Sequence, residues 1–447
     1  MKKLLKVGCS ALVLATLVAG CGTKDTGDGK KEAPKTEDGK RILKVDAFDG
    51  GNGQQFLSDL KEAFEKEHSD VSIQLRVEKE LNTLLDKENA TGSYSDVVYF
   101  NLGQPSSFTE TQLNTGEVAD ISDVFKDLGD KVDSSFVNSS VSQYMGDGKN
   151  YLAPISYTPA GFYYNTNLIG EGKKYALPET WDDMWELGEK AKKDGIALFT
   201  YPQAGYFDTT IMGMLDQVGG LEYFTKALKY EDGTWDSENG KKVTETISKL
   251  VSNYLYKDTV ANANTKDGFT NNQQAVLNGD ALFMPNGSWV VGEMEKTTPE
   301  NFHWGVMALP AFEKGGERVA TAFTEQMWIP KQAANIDDAK AFLKFIYSDQ
   351  GAEIMMKYGM VVPIEGAKDK IADPLTKEFY GIYDNENVRA SVGAYAPYDT
   401  TKVKEKFKDV VYGPINEIAN GKSDAAAWQK TLTDFWKELK ANPVATK

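Results

Sequence analysis

Thiol and imidazole chemistry in this 447-residue chain rests on two cysteines, Cys9 and Cys21, and two histidines, His68 and His303. His68 closes a helical pattern beside Ser69 and Asp70, and His303 leads an apolar run. Neither has a catalytic partner nearby in sequence, so both read as packed or solvated. Phosphate cradles of the GxxxxGKS/T kind, GxSxG, HExxH and CxxC are all absent. GGNGQQ lacks the third glycine of a dinucleotide loop. Carboxylates are plentiful, and counting alone does not exclude a glycosidase-type pair. The lack of nucleophile and metal signatures favours binding over catalysis, with no cofactor and no metal expected.

Cys21 belongs to a different chemistry. MKKLLK opens the chain with Lys2, Lys3 and Lys6, and Val7 to Gly20 carry no charge. A cationic start, a short apolar run and small residues at a cleavage point make a secretory signal. The run is shorter than the roughly 20 apolar residues of a membrane span. Ala19-Gly20-Cys21 resembles the bacterial lipobox, with Val18 where Leu is commoner and Leu17 one place earlier. It implies lipidation of Cys21 by a diacylglyceryl group, with palmitate-type chains, and cleavage just before it. Several acyl chains anchor stably where one binds reversibly. Cys9 leaves with the signal, and the mature chain is expected to have neither thiol nor disulfide. GTKDTGDGKKEAPKTEDGKR follows, too polar to fold, and reads as a flexible tether.

The elements that must position any site lie beyond the tether. About 400 residues exceed one hydrophobic core, so two lobes are expected. The net charge of −16 lacks the basic footprint of a nucleic-acid binder, and its scattered acids read as solubility. ILKVDAF (42–48) and VSIQLRV (71–77) read as strands, and QQFLSDLKEAFEKEH (54–68) as an amphipathic helix with Phe56, Leu60 and Phe64 on one face. DVVYF (96–100) and DALFM (280–284) are apolar runs of strands covered on both faces. Thr180 caps a helix that Gly195 stops; 236–255, 336–349 and 423–440 are further helices. HWGVMALP (303–310) is a strand closed by proline. This alternation is α/β. Ligands in such sheets sit in the loops after the strands' carboxyl ends.

The order of segments resembles the extracellular solute-binding proteins of family 1, the maltose-binding-protein type, which are receptors of ABC sugar importers. The likeness rests on ILKVDAFDGGNGQQ, SDVVYFNLGQP, DGKNYLAPISYTPAGFYYNTNLI, NGDALFMPNGSW and WGVMALPAF, the last two resembling the family's Gly-x-Trp segment and its second crossing. It implies a periplasmic-binding-protein-like fold of two lobes, each a mixed sheet flanked by helices, joined by hinge crossovers. The expected organisation is a lipoprotein signal (1–20), a tether (21–41), an N-terminal lobe (42–154 and 311–365) and a C-terminal lobe (155–310 and 366–447).

The resemblance also implies a cleft that closes on sugar. A pyranose lays its C–H face on an aromatic ring and its hydroxyls on amides and acids. Trp289 falls where the family stacks a sugar, with a core tryptophan as the alternative. Asp49 and Asn52 match the loop after the first strand, though DGGNG would also suit a plain turn. Asn101, Tyr206, Asn286, Phe323 and Tyr395 complete the expected ligand set, with Gln104, Glu325 and Tyr398 as further candidates. Trp328 reads as core. Glu78, Glu80 and Asp86 compete for one acidic contact. PNGSW, Glu293 and Met294 look most like members that take amino-sugar or chitobiose-type ligands. The implied protein is a monomer on the outer face of a Gram-positive-type cell membrane, held by its lipid alone, passing oligosaccharide to a permease. A receptor for a polyamine or metal complex and a surface glycosidase are the alternatives.

Overall fold

A computed structural model describes residues 33–104, 106–266 and 268–444. The leader, Cys9, Cys21 and the tether as far as residue 32 lie outside the described residues. Among the described residues nine strands form two connected sheets: β1 (Arg41–Phe48), β2 (Val71–Glu78), β3 (Val97–Tyr99), β4 (Ala153–Asn165), β5 (Ala197–Phe199), β6 (Ala281–Asn286), β7 (Trp304–Met307), β8 (Arg318–Trp328) and β9 (Val388–Ser391). In the first sheet β1 lies parallel between β2 and β3, and β3 meets the far end of β8 antiparallel. In the second, the latter half of β4 pairs with β6 and β7, and β5 adds in parallel to β6. Helices flank the sheets, and the fold is the two-lobed α/β class expected from sequence.

β4 and β8 join the lobes. They pair antiparallel from Ala153↔Met327 to Ala160↔Thr321, with a register shift between Pro154 and Ser156. Pro154 has no N–H to give a ladder, which accounts for a break at that point. Thirteen residues long and almost wholly buried, β4 contributes its first half to one sheet and its second to the other. The return differs from expectation. WGVMALPAF, likened to the second crossing, opens with β7, which stays within the second sheet; the chain returns along β8.

Local signals place most helices. Gln55–Glu67 buries Phe56, Leu60 and Phe64 as their spacing requires. Trp181–Lys193 starts in a capping box, with Thr180 accepting from Asp183 N–H and Asp183 reaching back to Thr180. Such a cap is worth about 1 kcal/mol. Gly195 has φ +75, a left-handed stop that only glycine adopts freely. At the N-terminal edge β1 begins at Arg41, one residue inside the expected tether. Its guanidinium donates to Asp338 at 2.7 Å and to Asp70 at 2.8 Å, tying β1 to two other segments.

One apolar core runs from the first sheet along Tyr163 to one face of the second, and another fills the opposite face of the second. A smaller cluster under β3 holds Trp328, which is 1% exposed and donates its indole N–H to Phe100 O at 3.3 Å. Trp328 is core, as its sequence setting suggests. His68 stacks on Phe64 with ring centroids 4.2 Å apart, a packing role.

Candidate functional site

Two groups of side chains meet where the lobes face each other. The first gathers around Glu325 on β8. Asn52, in the loop after β1, donates its amide to Glu325 Oε1 at 2.6 Å, and Ser156 of β4 donates to Oε2 at 3.1 Å. Burial raises the Glu325 pKa, while hydrogen bonds from Tyr99, Ser156 and Asn52 oppose the rise. A buried carboxyl with several donors holds the loop Asp49–Gly53 against both joining strands.

Across from that loop stands Trp289, which leads the helix Val290–Met294 after β6. Its ring is half-buried and meets Phe323 edge-on at 5.1 Å. Burial raises the Tyr206 pKa, and the neighbouring Trp289 opposes the rise. The two lobes touch here through glycines. A Cβ on Gly51 would lie 3.1 Å from Trp289 Cβ, and one on Gly292 would lie 2.8 Å from Gly51 O. No larger residue lets the backbones approach so closely.

The second group lines a cavity of about 190 Å³ between the lobes. Gly103, Glu110 and Tyr144 face it from one side, Asp208, Tyr230, Tyr395, Lys408 and Tyr412 from the other, with Phe323 and Thr324 of β8 as its floor. The polar groups converge on Gly103. Glu110 Oε1 accepts from Gly103 N–H at 2.7 Å, and the Lys408 ammonium donates to Gly103 O at 2.6 Å across the interlobe gap. Tyr412 donates to Asp208 Oδ1 at 2.8 Å. Burial raises the pKa values of Glu110 and Asp208 and lowers that of Lys408. The second oxygen of Glu110 and the hydroxyl of Tyr395 are buried without a hydrogen-bond partner in the protein. Leaving such a group unpaired costs about 1–3 kcal/mol, a cost that a ligand hydrogen-bonding to either would relieve.

The expected residues divide accordingly. Phe323 and Tyr395 line the cavity, as does Tyr398. Trp289, Tyr206 and Asn52 belong to the adjoining contact between lobes, whereas the Asp49 N–H is tied within its own lobe to Glu78 O at 3.1 Å. Asn101 is buried and accepts from Gln326 N–H at 2.8 Å, binding β3 to β8. Asn286 is buried too, and caps its own turn by accepting from Gly287 N–H at 2.9 Å. Glu78, Glu80 and Asp86 do not line the cavity. Glu110, Tyr144, Asp208, Tyr230, Lys408 and Tyr412 escaped the sequence reading. Asp208 sits two places after Tyr206 in QAGYFDT, and Glu110 soon follows the loop after DVVYF, so both had a signal. Lys408 and Tyr412 had none. Among the described residues no group of three or more acids, histidines or cysteines could hold a metal.

Lobes joined by two strands over an aromatic, acid-lined cavity suit capture of a small polar molecule. The chain belongs to the family of bacterial extracellular solute-binding proteins, whose sequence profile matches residues 59–378. Among curated proteins it is similar to the diacetylchitobiose binding protein NgcE of Streptomyces coelicolor, 22% identical over 78% of this chain and 77% of that one. It is similar also to the multiple sugar-binding protein of Streptococcus mutans, 24% identical over 84% of this chain and 86% of that one. Its fold matches apo RafE from Streptococcus pneumoniae with a TM-score of 0.66 at 21% identity, covering 89% of this chain and 98% of that one.

Proposed function

We propose that this protein is a lipid-anchored extracellular receptor that captures a sugar or oligosaccharide between its lobes and delivers it to the permease of an ABC importer. The observation that carries this reading is the interlobe cavity, whose lining brings the aromatic side chains of Tyr395, Tyr230 and Phe323 together with the carboxylates of Glu110 and Asp208. Ring faces suit a pyranose's C–H face, and carboxylates suit its hydroxyls. Relatives named for diacetylchitobiose and multiple sugars, and a raffinose complex of RafE with a TM-score of 0.64, support a carbohydrate.

The lobes divide within β4 and β8, near the expected 42–154 with 311–365 and 155–310 with 366–447, and a ligand touching both favours their closure. Cys21 carries the lipid, and the segment from it to about residue 33, where the chain turns onto β1, sets the reach of a monomeric body. Thermal unfolding against a sugar panel tests the reading. A ligand at 100 times its dissociation constant adds about 2.7 kcal/mol of stability. A panel of hexoses and oligosaccharides that shifts nothing sinks it. Recovery of every sugar intact after incubation separates a receptor from a glycosidase.

A further inference from the structure

Within the sugar-binding reading, we propose that the cavity selects a sugar ring bearing a free, protonated amine over its hydroxyl and N-acetyl counterparts. Three ionisable side chains meet around one residue: Glu110 on the N–H of Gly103, Lys408 on its carbonyl, and Asp208 Oδ2 within 3.9 Å of the position a Gly103 Cβ would take. Lys408 donates to a carbonyl rather than to either carboxylate, and its single charge acts on both acids without contacting them. With all three ionised, the cavity holds two negative charges and one positive.

A buried carboxylate without a cation is costly, and it responds by taking a proton or a partner. The upward pull of burial on both acids expresses that cost. The surroundings favour a cation as the partner. Glu110 Oε2 has no donor in the protein, and Tyr395 presents a buried hydroxyl with none either. Tyr395 stacks parallel to Tyr230 at 6.3 Å and packs on Phe407 at 4.8 Å, so the rings beside the acids hold one another and keep the Tyr395 hydroxyl in place. One ligand amine satisfies the free oxygen of Glu110 and cancels the surplus charge. A hydroxyl satisfies the oxygen and leaves the charge. An acetamide supplies one donor and adds a carbonyl next to carboxylates.

Calorimetry with glucosamine, glucose and N-acetylglucosamine and their disaccharides tests this. The amine form is expected to bind about tenfold or more tighter than the others, the ratio one charge-assisted hydrogen bond supplies. Glu110→Gln, which keeps the acceptor for Gly103 N–H, should erase that preference while the hydroxyl form still binds. Lys408→Met, which removes the competing cation, should widen it. Opposite responses of these two variants mark a charge effect rather than damage to the fold. Equal or tighter binding of glucose or N-acetylglucosamine overturns the inference and leaves the sugar receptor standing. Binding of spermidine with no response to any sugar overturns the sugar receptor and keeps a cation site. No response to any of these probes overturns the amine preference.

Discussion

The amide of Asn52 donates to the carboxyl of Glu325 at 2.6 Å, across 273 positions of sequence. Asn52 sits in a loop of five residues of which three are glycine, and so has little else to hold it. Glu325 lies on β8, one of the two strands shared between the lobes. The loop that touches Trp289 is therefore fixed to the joint itself.

Asn52→Ala removes one of the donors from a buried carboxyl. The expected loss of stability is about 1–3 kcal/mol, read from urea unfolding. Glu325→Gln gives the sign of the charge effect. Burial raises the folded-state pKa of Glu325, so the native state holds its proton more tightly than the unfolded chain does. That contribution is full below the unfolded value of about 4.3 and is lost as pH rises through the folded one. The Gln variant carries no such loss. Its stability relative to the parent should therefore improve as pH rises above about 4.3; a pH-independent difference would contradict the assignment.

Trp289→Ala should weaken sugar binding about tenfold or more while the protein stays folded. The side chain is half-buried, and its neighbours Phe323 and Tyr206 remain supported by β8 and the helix Phe207–Leu228. The stability cost should stay below the 3–5 kcal/mol of a fully buried tryptophan. Paired calorimetry and thermal unfolding separate the two effects. Affinity unchanged at full stability would remove Trp289 from the site.

Gly292→Ala probes closure. An added Cβ would sit 2.8 Å from Gly51 O, on the other lobe, so the described arrangement has no space for it. The residue lies inside a helix, where alanine is favoured over glycine by about 1 kcal/mol. The variant should therefore fold at least as stably without ligand, yet bind more weakly and scatter X-rays as a more open particle. Unchanged affinity and particle size would show that the glycine contact does not matter to closure.

Periodicity reveals an element's own face and not what lies opposite it. Phe56, Leu60 and Phe64 announce a helix, and DVVYF a covered strand, because the signal is local. Trp328 reads as core from its apolar setting and proves so. The positions of Asn101 and Asn286 were legible, but their amides are taken up by Gln326 and Gly287 backbone. One of those partners is 225 residues away, and nothing in the local pattern points to it. Lys408 and Tyr412 come from short helices after an irregular stretch, where neither spacing nor a motif marks a charged side chain as facing a cavity. The return along β8 is hidden for a related reason: TAFTEQMW interleaves Thr, Glu and Gln with its apolar residues, HWGVMALP reads as the plainer strand, and only pairing distinguishes a strand that stays from one that crosses.

Arg389 on β9 offers a stability test independent of ligand. Its guanidinium donates to both oxygens of Asp216, at 2.7 and 2.8 Å, and to Glu317 at 3.0 Å. Asp216 has a side chain 1% exposed, whereas Glu317 is half in solvent. The two carboxylates are thus not equivalent. Removing Glu317 leaves a charge pair that is still complete, and Glu317→Ala should cost less than about 1 kcal/mol, as exposed pairs do. Arg389→Ala strands a buried carboxylate between the helix Phe207–Leu228 and β9 and should cost about 3–5 kcal/mol. Pairing Arg389→Ala with Asp216→Leu should recover part of that loss, because an apolar side chain leaves no charge to strand. Recovery in the double variant, read from urea midpoints, would attribute the cost to the unpaired carboxylate; a double variant no more stable than Arg389→Ala would attribute it to lost packing of the arginine stem.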